Sequence, residues 1–250
     1  AYGYRADQRV VNVVLRERFR AVTVEGRLGA PTQGGRLYAE GEVSVLRVRG
    51  DGRLSLEVEH QRTTSLLESE RDLRSRAGGP FSLDGVVTAV SPGGEIDPAL
   101  SALAGRTVTT AAYPSTSGAP TLSDFLGAPA LSDPRPYRSL TPDRQSLEVG
   151  ATYAAAVRDG LSATINATAD LTRSESLLGL PSASLTLPAA SSFSPFASDV
   201  ALYRYLDAEA LRRRTDGRDL RLGFAVNGEL GEEWRWTWTG AAQQTRTETR

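Results

Sequence analysis

Residues 146–173 contain two segments, 146–157 and 161–173, in which apolar and polar residues alternate almost without interruption. The residues between them, Arg158-Asp159-Gly160, have the composition of a tight hairpin turn. Each segment has about the 9–11 residues that a tilted strand needs to cross a bilayer. In such strands the apolar side chains face lipid and the alternate polar ones face a wet interior. The pattern therefore predicts a membrane-spanning β-hairpin.

The composition excludes several classes of protein. The 250 residues carry a net charge of −1 and no basic stretch with interleaved aromatic residues, so nucleic acid is not an expected partner. The absence of cysteine excludes disulfides and thiolate metal sites. No run approaches the roughly 20 apolar residues of a transmembrane helix. Because the sequence begins AYGYRADQ and contains no methionine, we expect an internal fragment of a longer protein.

The same alternation recurs on both sides of the hairpin. It starts at Ala21 and returns at 37–48, 53–64, 218–228 and 233–246, which predicts about seven strands. A phase slip at Leu46 predicts a β-bulge in the second strand. The apolar run at 9–15 predicts a short buried strand ahead of the first.

Short and long connections alternate along this series of strands. The turns at 49–52, 158–160 and 229–232 are short, whereas the connections at 65–144 and 174–217 are long. Outer-membrane barrels place short turns in the periplasm and long loops outside, with the turn from Pro31 to Gly35 as a short outer exception here. Because residues 65–144 are rich in glycine and proline, only short elements are expected there, such as a helical turn from Pro98 to Leu103.

Three tryptophans alternate with polar residues in the last predicted strand. Trp234 and Trp236 follow directly on a predicted periplasmic turn. Indole rings favour the membrane–water interface, where the ring is half buried and its N–H stays hydrated. The alternative is that these rings fill an ordinary sheet core.

Several segments resemble one family. The phrase RVVNVVLRERF resembles the end of the plug of a TonB-dependent receptor, and QRTTSLLESERD resembles the first barrel strands and first large loop of that family. Later hairpins of the family resemble SESLLGLP, DVALYRYL and GELGEEWRWTWTG. The resemblance covers most of the chain except 75–140. It implies a plugged outer-membrane barrel that imports a scarce ligand with energy delivered by TonB.

The resemblance and the alternation together predict an all-β fold, a partial antiparallel transmembrane β-barrel of about seven strands with long extracellular loops. Residues 1–18 would be the C-terminal remnant of the plug domain. Residues 19–250 would be the N-terminal part of the barrel, with the long loops at 65–144 and 174–217. The expected partners are outer-membrane lipid, TonB through a segment missing from this chain, and a small ligand of siderophore, cofactor or saccharide class.

No catalytic, cofactor-binding or metal-binding residue is predicted, and no ligand-binding residue is assigned. His60 is the only histidine, and zinc sites need three or four protein ligands, so it is interpreted as a rim residue. Glu57 and Glu59 are expected to face the interior, with Glu25, Arg27, Glu40 and Glu42 in an ionic network there. The cluster Arg212 to Arg214 is interpreted as a solvated loop, or as a binder of anionic ligands or lipopolysaccharide phosphate.

Two other functions remain open at this point. The first is a surface-exposed soluble β-sandwich that acts as an adhesin or binding module. It predicts strands of about 5–6 residues that share one core. The second is an outer-membrane barrel enzyme, such as a protease or lipase. It needs a nucleophile and base that converge at the rim, which a single histidine disfavours.

Overall fold

The computed structural model describes residues 18–72, 80–115, 118–231 and 233–250. The predicted strand at 9–15 and all but the last residue of the predicted plug remnant, 1–18, lie outside these ranges. The described chain is mostly antiparallel β-structure, with a single α-helix. This confirms the predicted all-β class.

The described elements are thirteen strands, one α-helix and three short 3-10 turns. The strands are β1 (Arg18–Gly29), β2 (Tyr38–Arg49), β3 (Gly52–Thr63), β4 (Leu66–Leu67), β5 (Val86–Ala89), β6 (Thr110–Ala112), β7 (Ser139–Thr141), β8 (Asp143–Arg158), β9 (Leu161–Leu177), β10 (Ser182–Leu187), β11 (Val200–Tyr205), β12 (Arg212–Leu230) and β13 (Trp234–Thr249). The helix α1 spans Pro98–Ala104, one residue longer than the helical turn predicted from Pro98 to Leu103, and the 3-10 turns span Glu68–Glu70, Leu122–Phe125 and Arg135–Tyr137.

Seven long strands form one antiparallel sheet in the order β1-β2-β3-β8-β9-β12-β13. These are the seven strands that the alternation predicts. Several are longer than expected, because β9 continues to Leu177 and β12 already begins at Arg212. The sheet is open, with β1 and β13 at its two edges.

The pairing register corrects the predicted bulge at Leu46. The ladders on both sides of β2 run through Leu46 without a shift, opposite Ala21 and Ser55. The phase slip instead places Leu46 and Val48 on the face of the strand that carries Glu40, Glu42 and Ser44. An irregularity of register does occur in the β8–β9 ladder, between Ala156 and Arg158, next to the tight turn.

The short turns lie together at one end of the sheet. The amide of Ala156 donates to the carbonyl of Asp51 over 3.0 Å, and the amide of Glu229 donates to that of Gly160 over 2.9 Å. At the opposite end, the Arg71 guanidinium donates to the carbonyl of Gly34, which places the turn after β1 beside the first long connection. We call these the turn end and the loop end.

The two long connections fold together into a small domain with its own sheet. Strands of both connections form one sheet in the order β10-β11-β5-β6, in which β11 of the second connection pairs with β5 of the first and Val200 lies opposite Ala89. We call this unit the loop domain. Its ordered core differs from the irregular connections that the sequence predicts.

Most of the buried apolar side chains belong to the loop domain. Its main cluster consists of Val87, Ile96, Leu100, Val108, Ala111, Phe125, Phe196 and Val200. The rings of Phe125 and Phe196 meet edge to face, with centroids 4.7 Å apart. In the described part of the seven-stranded sheet no large apolar side chain reaches the same degree of burial. The stable core of this chain therefore lies in its connections.

Asp97 joins the two long connections through hydrogen bonds to both. One carboxylate oxygen accepts the amide of Ala99 over 2.7 Å and so caps α1, while the other accepts the amide of Ala197 over 2.7 Å. The side chain is buried, with 2% exposure. A charged acceptor in this position satisfies donors from both connections at once.

Candidate functional site

The seven-stranded sheet presents two chemically different faces. Directly paired residues of neighbouring strands point to the same face, so the register assigns every side chain. One face carries an apolar band that crosses all seven strands. On the central strands it comprises Leu147, Val149, Ala151, Tyr153 and Ala155 of β8, Leu161, Ala163, Ile165, Ala167, Ala169 and Leu171 of β9, and Leu220, Leu222, Phe224 and Val226 of β12.

No second layer of the described chain covers this apolar band. The side chains of Val22, Val24 and Leu28 on β1 are 67%, 71% and 89% exposed. Tyr153 and Ile165 at the centre of the sheet are each 51% exposed. An apolar surface of this extent marks a site that contacts another molecule or a membrane.

The apolar band runs obliquely across the strands. On β1 it extends from Val22 towards the loop end, and Arg20 bounds it on the other side. On β13 it extends from Ala242 towards the turn end, and Gln244 bounds it. Val22 and Ala242 lie in the same hydrogen-bonded row, through the intervening pairs 22–45, 45–56, 56–151, 151–167, 167–222 and 222–242.

This obliquity gives the inclination of the strands. The centre of the apolar band moves by about seven residues over the six strand-to-strand steps, at about 3.4 Å per residue and about 4.8 Å between strands. For the band to run perpendicular to the axis of a barrel, the strands must therefore be tilted by about 40° from that axis. Along β9 the band spans Leu161 to Leu171, which at this tilt corresponds to a height of about 26 Å.

Aromatic side chains mark the turn end of the band on β13. Trp234, Trp236 and Trp238 are 72%, 44% and 64% exposed, which is inconsistent with a core packed by the described chain. Trp236 lies over Gly228, where an added Cβ would collide with the indole ring. Trp238 meets Phe224 edge to face, with centroids 5.0 Å apart. The glycine and the ring contact hold the tryptophans in place on an open surface.

The opposite face carries a row of carboxylates that crosses six strands. Each member lies directly opposite the next: Glu25, Glu42, Glu59, Glu148, Asp170 and Asp219. Directly opposed like charges destabilise a sheet, so this row carries a cost for the isolated sheet. The sequence shows each acid on a polar position, but only the register shows that they align.

The predicted ionic network is formed in part. Arg27 pairs with Glu40 over 3.2 Å and with Glu25 over 3.6 Å. Glu57 and Glu59 lie on the same polar face, as expected, and the amide of Gln61 donates to Glu59. Neither Glu57 nor Glu59 makes an ion pair with a described residue. Within the row, Glu25 pairs with Arg27 and Asp219 with Arg221. The other four carboxylates of the row have no basic partner among the described residues.

His60 and the cluster Arg212 to Arg214 lie at the loop end. His60 shares the face of the apolar band, one row beyond Val58. Arg212 and Arg214 lie on this face and pair with Glu175 and Asp216, each over 3.0 Å, whereas Arg213 points to the opposite face. The cluster therefore belongs to strand β12, which corrects its interpretation as a loop.

The described residues contain no group of three or more histidine, cysteine or acidic side chains arranged to hold a metal ion. No helix among them has the length and apolar character needed to cross a membrane.

No family model, curated protein or solved structure matches this chain.

Proposed function

We propose that this chain forms part of the wall of an outer-membrane β-barrel of the TonB-dependent receptor class, which imports a scarce ligand. The observation that carries the proposal is the oblique apolar band. Its height of about 26 Å and its strand tilt of about 40° match the apolar belt of about 25 Å and the 35–45° tilt of outer-membrane barrels. The uncovered apolar face would then contact lipid, and the tryptophans would lie at the interface on the turn end.

The open edges fit a wall that further strands complete. Both β1 and β13 present unpaired backbone groups along one side, and such groups are not tolerated in contact with lipid. Under this proposal, additional strands pair with both edges and close the barrel. The carboxylate row would then face the interior, where water lowers the cost of its mutual repulsion.

The loop domain fits the outer end of a receptor. It lies at the end of the sheet opposite the short turns, which are periplasmic in outer-membrane barrels. A folded unit there offers a rigid surface on which a ligand is captured before import. The assignment to the receptor class, and hence the dependence on TonB, rests on the sequence resemblance. The ligand class is open among siderophore, cofactor and saccharide.

The two alternatives fit the fold less well. A β-sandwich needs a second sheet over the apolar face, and the strands of the seven-stranded sheet, with 12 to 19 residues each, exceed those of ordinary sandwiches. A barrel enzyme needs a nucleophile beside a base. His60, the only histidine, lies on the face of the apolar band rather than on the polar face.

Single-cysteine labelling along β9 tests the proposal. Because the chain contains no cysteine, each introduced thiol is unique within it. The protein is produced in a Gram-negative host, and isolated outer membranes are treated with lipid-soluble and water-soluble maleimides. We expect Ala163→Cys, Ala167→Cys and Ala169→Cys to react with the lipid-soluble reagent and to resist the water-soluble one.

The alternate positions are the matched controls. Thr164→Cys and Thr168→Cys lie on the polar face of the same strand, and we expect them to show the opposite preference. Equal reaction of both sets with the water-soluble reagent, or absence of the protein from the outer membrane, would refute the proposal.

A further inference from the structure

Basic side chains gather just beyond the apolar band at the loop end of the sheet. They share the face of the band and lie on, or directly after, four strands, β3, β9, β12 and β13: His60, Arg62, Arg173, Arg212, Arg214, Arg218, Arg246 and Arg250. The acids on the same part of the face are fewer: Asp143, Glu175, Asp216 and Glu248. The surface next to the band therefore carries a net positive charge.

Two arginines at the centre of this surface lie directly opposite each other. Arg218 of β12 pairs in register with Arg246 of β13, so their Cβ atoms are about 5 Å apart. Arg246 reaches Glu248 over 3.2 Å, but Arg218 makes no ion pair with any described residue. Opposed like charges favour an anion placed between them, and guanidinium groups match phosphate geometry well.

The basic surface is continuous with a groove in the apolar band. A depression of about 580 Å³ is lined by His60, Arg173, Arg218, Arg246 and, at its inner margin, Leu147 and Leu171. One row further into the band lies an apolar depression of about 460 Å³, where Ala151, Ala167, Ala169 and Ala242 leave space between Val149, Leu220 and Leu222. Basic and apolar parts thus follow one another along the same four strands.

We propose that the basic surface and the adjoining apolar depression together bind one phosphorylated membrane lipid. A phosphate of the lipid lies between Arg218 and Arg246, and an acyl chain lies in the alanine-lined groove. The inference rests on the proposed membrane orientation, in which the basic part lies at headgroup level in the outer leaflet. Charge complementarity selects the phosphate, and the adjoining groove selects a lipid over a soluble anion.

Lipid retention by purified protein tests the inference. Outer membranes that contain the protein are solubilised in detergent, and the purified protein is mixed with a diphosphorylated glucosamine lipid. Retained lipid is counted by native mass spectrometry. We expect about one lipid per chain, and a decrease of about tenfold or more in Arg218→Gln/Arg246→Gln.

Four controls separate the contributions of charge, groove and phosphate to lipid retention. Arg144→Gln/Arg213→Gln removes two arginines from the same end but the opposite face, and retention should persist. Ala167→Leu fills the groove and should weaken retention. The same lipid without phosphates should bind poorly, and inorganic phosphate alone should not be retained after gel filtration.

The outcomes distinguish this inference from the proposed function. Equal retention by the unmodified protein and Arg218→Gln/Arg246→Gln overturns the lipid site, even when cysteine labelling supports membrane insertion. Retention of inorganic phosphate without the lipid also overturns it, in favour of a soluble anion. Failure of the labelling test overturns both.

Discussion

Asp97→Ala should uncouple the two long connections. The substitution removes the cap of α1, which is worth about 1 kcal/mol. It also removes the charged acceptor of the Ala197 amide, 2.7 Å away, a contribution of about 1.5–3 kcal/mol in a buried setting. We therefore expect the unfolding free energy of the loop domain to fall by about 3 kcal/mol. Asp97→Asn should cost nearly as much, because an amide offers one acceptor oxygen where both carboxylate oxygens are used.

Amide hydrogen exchange measures this effect separately in the two parts of the fold. A loss of about 3 kcal/mol corresponds to exchange about 100-fold faster at the β5–β11 ladder, from Val86 to Ala89, while the centre of β9 keeps its rate. Asp199→Ala is the matched control, because among the described residues this exposed carboxylate accepts a hydrogen bond only from the amide of Ala189. Less than a threefold change in Asp97→Ala, or equal acceleration in β9, would contradict the reasoning.

Three further predictions concern the sheet and the surface of the loop domain. Gly228→Ala should lower the melting temperature, since a Cβ at that position collides with Trp236, whereas Gly41→Ala meets nothing within 4 Å and should leave it unchanged. Ala167→Arg should destabilise the membrane-inserted protein by about 2–4 kcal/mol in denaturant titrations, and Thr168→Arg on the polar face should be tolerated. The Thr121 amide holds the pKa of Asp124 below its ordinary value of 3.8, so this contact should stabilise the fold above that value and be lost as pH falls through the lowered pKa. A pH titration of the Thr121 amide by NMR checks this, and Asp124→Asn should abolish the step.

The seven-stranded sheet was predictable because each strand repeats its pattern over many residues. In β8 and β9 the alternation sets both the extent of the strand and the face of every side chain, and tight turns fix the pairing. The oblique path of the apolar band is already contained in the sequence. It becomes visible only when the register is known, since pairs such as Leu56 with Ala151 join distant segments.

The loop domain was not predictable by the same means. Its strands are as short as the three residues of β6, which is too few for a period to emerge. Its core residues, such as Phe125 and Phe196, come from segments dominated by proline, glycine and serine. The strands of the loop domain pair with segments distant in sequence, as Ala89 does with Val200, so no local sequence pattern predicts the pairing. The carboxylate row was not predictable either, because the alignment of its members across six strands depends on the pairing register alone.

The loop domain, which draws on both long connections, also sets the order in which the chain can fold. The hairpins β1–β2–β3, β8–β9 and β12–β13 pair locally, but the ladders β3–β8 and β9–β12 must each close a long loop, 64–142 and 178–211. Because β5 lies between strands of the two connections, neither loop reaches its native form until the other is in place. The three hairpins should therefore form early and independently. The two remaining ladders should then form together in a single slow step, whose rate depends on how quickly the loop domain assembles.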